Sequence, residues 1–68
     1  MNDKATVRIL YTNYRVETAL RTIVPDRLWF GKTEWHPDDQ WLLDALDVEK
    51  GQKRTFAMKD VRAWLEAS

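Results

Sequence analysis

A β-hairpin is the strongest structural signal in the sequence, and it constrains the fold more than any other feature. An apolar-rich run, Trp41–Asp47, is followed by the polar segment Glu49-Lys50-Gly51 and then by a second run, Arg54-Thr55-Phe56. Two such runs around a short polar segment favour a hairpin because Gly51 can adopt the positive φ that a tight reversal needs. The sequence therefore predicts antiparallel β structure in this half of the chain.

Two further strands are predicted before the hairpin. Residues 6–14 alternate between apolar and polar positions, and residues 18–24 alternate again and are rich in β-branched side chains. Pro25 cannot donate to a ladder, so it ends this pairing and marks a strand edge, a bend or a bulge, and residues 27–30 fit a bent extension of the same strand. In the turn between the two strands, Asn13 tolerates a left-handed backbone best, whereas Val16 is a poor turn residue and indicates either a different turn or a strained one.

The remaining segments predict a short strand, a loop and a helix. Residues 33–35 resemble a strand fragment, and residues 36–40 form a loop because Pro37 restricts His36 to an extended backbone. Four apolar residues near the end of the chain then follow the spacing i, i+3, i+6 and i+7, which is typical of one helix face. They are Met58, Val61, Trp64 and Leu65.

About five strands and a short C-terminal helix in 68 residues predict a strongly bent antiparallel sheet or a small barrel, since closure removes exposed sheet edges. Neither an internal repeat nor a linker divides residues 1–68, so we expect one domain. Such a fold needs large core side chains. We therefore expect Trp41 and Trp64 inside, and Trp29 and Trp35 at the surface.

Composition excludes several classes of function. The chain has no cysteine, so disulfides, thiol nucleophiles and cysteine zinc sites are excluded, and a reducing, cytoplasmic location is expected. No apolar run approaches the roughly 20 residues of a membrane-spanning helix, so no membrane association is expected. The net charge is zero, but residues 1–33 hold six basic and three acidic side chains, whereas residues 34–68 hold five and eight.

The residues present offer little basis for catalysis. His36 is the only histidine, and Glu34, Asp38 and Asp39 are its acidic neighbours in sequence. A polar surface loop shaped by Pro37 explains this cluster better than a metal site does, because metal sites need a firmer framework of ligands. We expect no enzymatic activity, no metal and no cofactor.

An ordered set of residues resembles the WYL domain. The set comprises Tyr11, Arg21 with Pro25, the strand Trp41–Ala45, and Arg54-Thr55-Phe56. The family is named for a Trp-Tyr-Leu stretch at the place where this chain has Trp-Leu-Leu. The likeness covers nearly the whole chain and is weakest between residues 26 and 40. It implies an SH3-like or Sm-like barrel that senses a ligand or associates with nucleic acid.

The resemblance also implies a ligand-binding set, Arg21 and Arg54 with Arg8 and Tyr11. Basic residues on the surface of WYL domains are implicated in binding anionic ligands, and guanidinium groups suit phosphate oxygens. The family places further arginines after the Phe, but this chain has Asp60 in that region, which weakens phosphate binding. A plainer alternative makes Arg21 and Arg54 exposed charges that pair with acids across the sheet.

Two functional hypotheses follow. WYL domains usually accompany a DNA-binding helix-turn-helix, so a stand-alone copy predicts a module that binds a nucleotide or oligonucleotide and modulates a transcription or defence regulator. The alternative is a protein-interaction barrel in which Trp29, Trp35 and Leu46 form the contact patch. Apolar residues on both faces of the Trp41–Val48 run predict a homodimer that covers one of them.

Overall fold

A single antiparallel sheet forms the fold. The computed structural model describes residues 6–66, and within that range the strands are β1 (Val7–Thr12), β2 (Thr18–Gly31), β3 (Gln40–Asp47), β4 (Gln52–Ala57) and β5 (Val61–Glu66). The strands lie in the order β4-β3-β2-β1-β5, and every neighbouring pair is antiparallel. The predicted mainly-β architecture is confirmed. No helix in the described range is both long and apolar enough to cross a membrane.

The predicted C-terminal helix is wrong. A 3-10 turn spans Met58–Asp60, and the following residues form β5, which pairs with β1. A helix this short is unstable alone, whereas a strand gains hydrogen bonds from the free edge of β1. Val61 and Trp64 also belong to the β-branched and aromatic residues that favour strands. Tertiary pairing therefore outweighs a helical spacing that rests on only four residues.

The predicted hairpin is confirmed as β3 and β4, with Leu43 opposite Phe56. Gly51 has a φ of 64°, and its N–H donates a hydrogen bond of 2.8 Å to the Asp47 carbonyl. The strand fragment predicted at residues 33–35 is wrong, because that segment is a loop. In this loop the Thr33 hydroxyl accepts hydrogen bonds from the N–H groups of Trp35 and His36, at 3.2 and 3.0 Å.

The turn between β1 and β2 is held by one side chain and contains a strained residue. Asn13 Oδ1 accepts hydrogen bonds from the N–H groups of Arg15 and Glu17, at 2.9 and 3.0 Å. Val16 has a φ of 63° and is 81% exposed. A β-branched residue is strongly disfavoured at positive φ, so we expect the backbone at Val16 to be strained.

A β-bulge in the middle of β2 decides which side chains reach each face of the sheet. Pro25 lies opposite Ala45 and Arg27 lies opposite Asp44, so Asp26 is the extra residue. Beyond the bulge the alternation shifts by one position, which puts Arg27 and Trp29 on the opposite face from Pro25. We call the face that carries the core the inner face and the other the outer face.

The core lies on the inner face and extends over four strands. Its members are Val7, Ile9, Tyr11, Ile23, Leu43, Ala45 and Phe56, with Met58 and Val61 packed against them. The Tyr11 and Phe56 rings meet edge to face with centroids 4.9 Å apart, although β2 and β3 separate their strands in the sheet. The sheet therefore curls strongly over itself, as the sequence predicted.

The predicted burial of two tryptophans is wrong. Trp41 is 53% exposed and Trp64 is 45% exposed. Trp41 packs edge to face on Phe30 at 5.4 Å, beyond the stretch of β2 that β1 covers, because β1 reaches along β2 only as far as Ile23. Trp35 is 82% exposed, as expected, whereas Trp29 is half-buried.

A small second cluster covers part of the outer face. Leu42 is completely buried there, and its neighbours across the strands are Trp29 and Ala57. Leu42 is thus covered within one chain. Leu46 and Val48, in contrast, are 37% and 45% exposed.

Candidate anion-binding groove

Tyr11 is the centre of the candidate site. Its ring belongs to the core and its side chain is 7% exposed, while its phenolic oxygen accepts a 3.1 Å hydrogen bond from the N–H of Ala57. Burial raises the pKa of Tyr11 above its usual value, and the Ala57 hydrogen bond opposes that rise. The hydroxyl is therefore held in its neutral form at physiological pH, with its own proton still available for donation.

Three charged side chains lie within electrostatic reach of this phenol. The carboxylate of Asp60 raises the pKa of Tyr11, and the guanidinium groups of Arg54 and Arg21 lower it. The register places Arg21 opposite Ile9 and Arg54 opposite Ala45, which puts both arginines on the inner face. The curl of the sheet thus brings Arg54 of β4 toward Tyr11 on β1, whereas Arg21 lies on β2, the strand next to β1.

A groove with a volume of about 1450 Å³ adjoins this cluster. Tyr11, Arg21 and Arg54 line it, together with residues of the β1–β2 turn and of the β2–β3 loop. Two strongly exposed aromatic side chains, Tyr14 at 87% and Trp35 at 82%, also contribute to the lining. The groove therefore combines cations with aromatic surfaces on which a planar group can stack.

The formal charge of the groove is close to balance. The ionisable lining comprises the basic residues Arg15, Arg21, Lys50, Lys53 and Arg54 and the acidic residues Glu17, Asp26, Glu34 and Asp44. Asp44 accepts a 2.8 Å hydrogen bond from the Thr55 hydroxyl and lies 3.5 Å from the Arg27 guanidinium. Part of the acidic charge is thus compensated within the protein, which leaves the arginines beside Tyr11 able to attract an anion.

The fourth residue of the predicted ligand-binding set lies elsewhere. Arg8 is on the outer face, opposite Thr22 on β2 and Leu65 on β5. It therefore does not share a face with Tyr11, Arg21 and Arg54, because neighbouring residues of a strand point to opposite sides.

The three residues predicted as a contact patch do not all meet. Trp35 and Leu46 both line the groove, one from the loop and the other from β3. Trp29 lies apart, on the outer face, where the Arg27 guanidinium stacks on its ring at 5.2 Å. Its ring also leaves little space above Gly31, since a Cβ there would come within 2.6 Å of the indole.

Sequence reasoning missed several residues of the groove. Tyr14 and Arg15 lie in the β1–β2 turn, for which the sequence predicted a chain reversal but no role for the side chains. The Arg15 guanidinium stacks on the Tyr14 ring at 5.7 Å, and a pattern of apolar residues does not predict such a contact. Lys53 precedes the arginine that the family resemblance singled out. A run of exposed aromatic and basic residues in turns was the available signal, but only the curl of the sheet shows that these turns share a groove.

The loop that contains His36 forms one wall of the groove. Within residues 6–66, no group of three or more histidine, cysteine, aspartate or glutamate residues is arranged to hold a metal ion. The chain matches no protein-family model, no curated protein and no solved structure at a significant level.

Proposed function

We propose that this chain is a WYL-like regulatory module with an SH3-like barrel, which binds a nucleotide or oligonucleotide and modulates a transcription or defence regulator. The observation that carries the proposal is that Arg21, Arg54 and Tyr11 line one groove on the inner face of the sheet. These arginines were selected by resemblance alone, and they belong to strands that are not neighbours in the sheet. The contact of β1 with β4 supports closure toward a barrel.

The chemistry of the groove supports an anionic, partly aromatic ligand. Two guanidinium groups offer planar sets of donors that match phosphate oxygens. Tyr14 and Trp35 supply exposed rings on which bases can stack, and stacking tolerates any base because each has a π-face. A ligand with both features satisfies more of the lining than an inorganic anion does.

A direct test measures binding of short single-stranded oligonucleotides, duplexes and inorganic phosphate by calorimetry over a range of salt concentrations. Arg21→Gln and Arg54→Gln should each weaken oligonucleotide binding. Each should also reduce the dependence of log K on log salt by about 0.7 for a single strand, since one phosphate contact is lost. Asp60→Asn should strengthen binding, because it removes a negative charge beside the same phenol.

Arg8→Gln provides the matched control, since it removes one arginine from the outer face. It should change binding less than either inner-face variant does. Equal losses in all three arginine variants would indicate a diffuse attraction to charge and would contradict a site at Tyr11. Absence of binding at low salt, even for Asp60→Asn, would remove the proposal.

We infer self-association as a second candidate function, and a specific observation favours it. Half-exposed apolar side chains occur on the edge strand β5, namely Trp64 at 45% and Leu65 at 48%. Apolar surface of this kind, when contiguous, is typical of protein contacts. Sedimentation equilibrium over a range of concentrations tests this function separately from ligand binding.

A further inference from the structure

The two edges of the sheet differ sharply in chemistry. At the β4 edge, the exposed residues are Gln52, Lys53 and Arg54. At the β5 edge, the half-exposed residues Trp64 and Leu65 are apolar. Lysine and other charged residues on an edge strand oppose pairing with another chain, whereas an uncharged edge permits it. Among the edge side chains that the structure describes, β4 carries the charged residues Lys53 and Arg54, and β5 carries Arg62.

Arg62 does not protect the β5 edge. Its Nε donates a 3.1 Å hydrogen bond to the Thr12 hydroxyl, so the guanidinium is directed back toward β1. Arg62 is also the extra residue of a bulge, because Leu10 pairs with Ala63 and Tyr11 pairs with Val61. The segment that begins at Ala63, after the bulge, therefore has backbone N–H and C=O groups on the free edge of the sheet. The guanidinium of Arg62 does not lie beside these groups, because it is hydrogen-bonded to Thr12.

Apolar residues continue from this edge across the outer face. Leu20 on β2, Leu10 on β1 and Ala63 on β5 stand directly opposite one another in a row over three strands. Leu65 extends the row along β5, because it lies two positions beyond Ala63 on the same face. A strand added at the β5 edge would thus meet Ala63 and Leu65, the members of the row on β5, as well as free backbone groups.

We propose that a second copy of this chain occupies the β5 edge, with the two β5 strands pairing antiparallel about a two-fold axis. A register centred on Trp64 places Ala63 of each copy opposite Leu65 of the other, and it keeps the inner and outer faces continuous. The uncharged segment Ala63–Leu65, which lies between Arg62 and Glu66, suits such an isologous contact, because each apolar residue in it meets an apolar partner. The result is one ten-stranded sheet with a charged β4 at each end.

This inference rests on the self-association proposed above and names its surface. Leu65→Glu tests it, since the new carboxylate faces Arg8 across the β1–β5 ladder within the monomer but meets apolar residues in the dimer. Leu20→Glu is the matched control, because it removes a leucine of nearly equal exposure from the same face, away from the edge. Sedimentation equilibrium should show a dimer for the unmodified chain and for Leu20→Glu. For Leu65→Glu the dissociation constant should rise at least about tenfold, which corresponds to about 1.4 kcal/mol.

Hydrogen exchange of the unmodified chain gives a second measurement that needs no variant. Amide protection in residues 63–66 should increase with protein concentration, while that of β4 stays constant. A dimer that survives Leu65→Glu, or one that Leu20→Glu disrupts equally, would overturn the β5 contact and leave self-association standing. A monomeric mass at all concentrations, with amide protection that does not change with concentration, would overturn both the β5 contact and self-association. A closed ring or larger assembly would overturn the two-fold arrangement.

Discussion

The backbone N–H of Ala57 on β4 donates a 3.1 Å hydrogen bond to the phenolic oxygen of Tyr11 on β1. In the strand order β4 is an edge strand and β1 is the fourth strand along, so β3 and β2 lie between them. The bond lies in the interior, where Ala57 is fully buried. It therefore fastens the two halves of the curled sheet at the point where the arginines converge.

Tyr11→Phe should destabilise the fold by roughly 1–3 kcal/mol, because it leaves the buried Ala57 N–H without an acceptor. The aromatic contact with Phe56 is retained, so the loss reports mainly the hydrogen bond. Denaturant unfolding measures the change. Tyr14→Phe is the control, since Tyr14 is 87% exposed, and it should change stability by less than about 0.5 kcal/mol. Equal effects of the two variants would contradict this role of Tyr11.

Stability should fall at alkaline pH. Burial raises the pKa of Tyr11 above 10.0, so the folded state favours the neutral phenol more than the unfolded state does. The resulting stability is fully present below the unfolded pKa of about 10 and is lost as the pH rises through the folded pKa. Unfolding free energies measured across this range should decline more steeply for the unmodified chain than for Tyr11→Phe. Parallel declines would count against the shift.

The charges around Tyr11 can be tested without any ligand. In a Tyr14→Phe background, tyrosinate absorbance reports Tyr11 alone, because the chain has two tyrosines. Asp60→Asn should lower the pKa of Tyr11, whereas Arg54→Gln and Arg21→Gln should raise it. Arg8→Gln, on the outer face, is the control and should have the smallest effect. Shifts of the opposite sign would show that these side chains do not converge on the phenol.

Val16→Gly should stabilise the fold by about 1 kcal/mol, since the relief of a strained positive φ exceeds the added entropy of glycine in the unfolded chain. Val16 is 81% exposed, so little packing is lost. Thermal and denaturant unfolding measure the difference. Val48→Gly is the control in another turn, without a positive φ, and it should lose stability. A loss for Val16→Gly as well would mean that the turn is not strained.

Local patterns predicted the parts of the fold that depend on local interactions. The turn glycine, Gly51, marked the β3–β4 hairpin, and alternation marked β1 and the first half of β2. The C-terminal strand was missed because β5 is stabilised by β1, a partner more than 50 positions away in sequence at Leu10 and Ala63. Its own spacing fits a helix, and no local signal reports the distant pairing.

The sequence predicted Arg21 and Arg54, two arginines of the candidate site, but it did not predict the shape of the groove that they line. Arg21 and Arg54 came from a family resemblance, and Arg8 came with them although it lies on the opposite face. Whether side chains on different strands converge depends on the curl of the sheet, which is a collective property of the core. The positions of Trp41 and Trp64 were misjudged for the same reason, because size alone does not indicate how far a neighbouring strand extends.

The bulge at Asp26 constrains how the length of this chain can change during evolution. Deleting Asp26 would remove the bulge and leave the later pairs and faces unchanged, because Pro25 and Arg27 already lie opposite the consecutive residues Ala45 and Asp44. A single insertion or deletion elsewhere in β2 would instead exchange the faces of the residues on one side of it. Residues 32–39 belong to no strand, so a change in their number does not change which face a side chain occupies. Relatives of this chain should therefore vary in length in that loop or at the bulge, and otherwise preserve the residue count from Thr18 to Gly31.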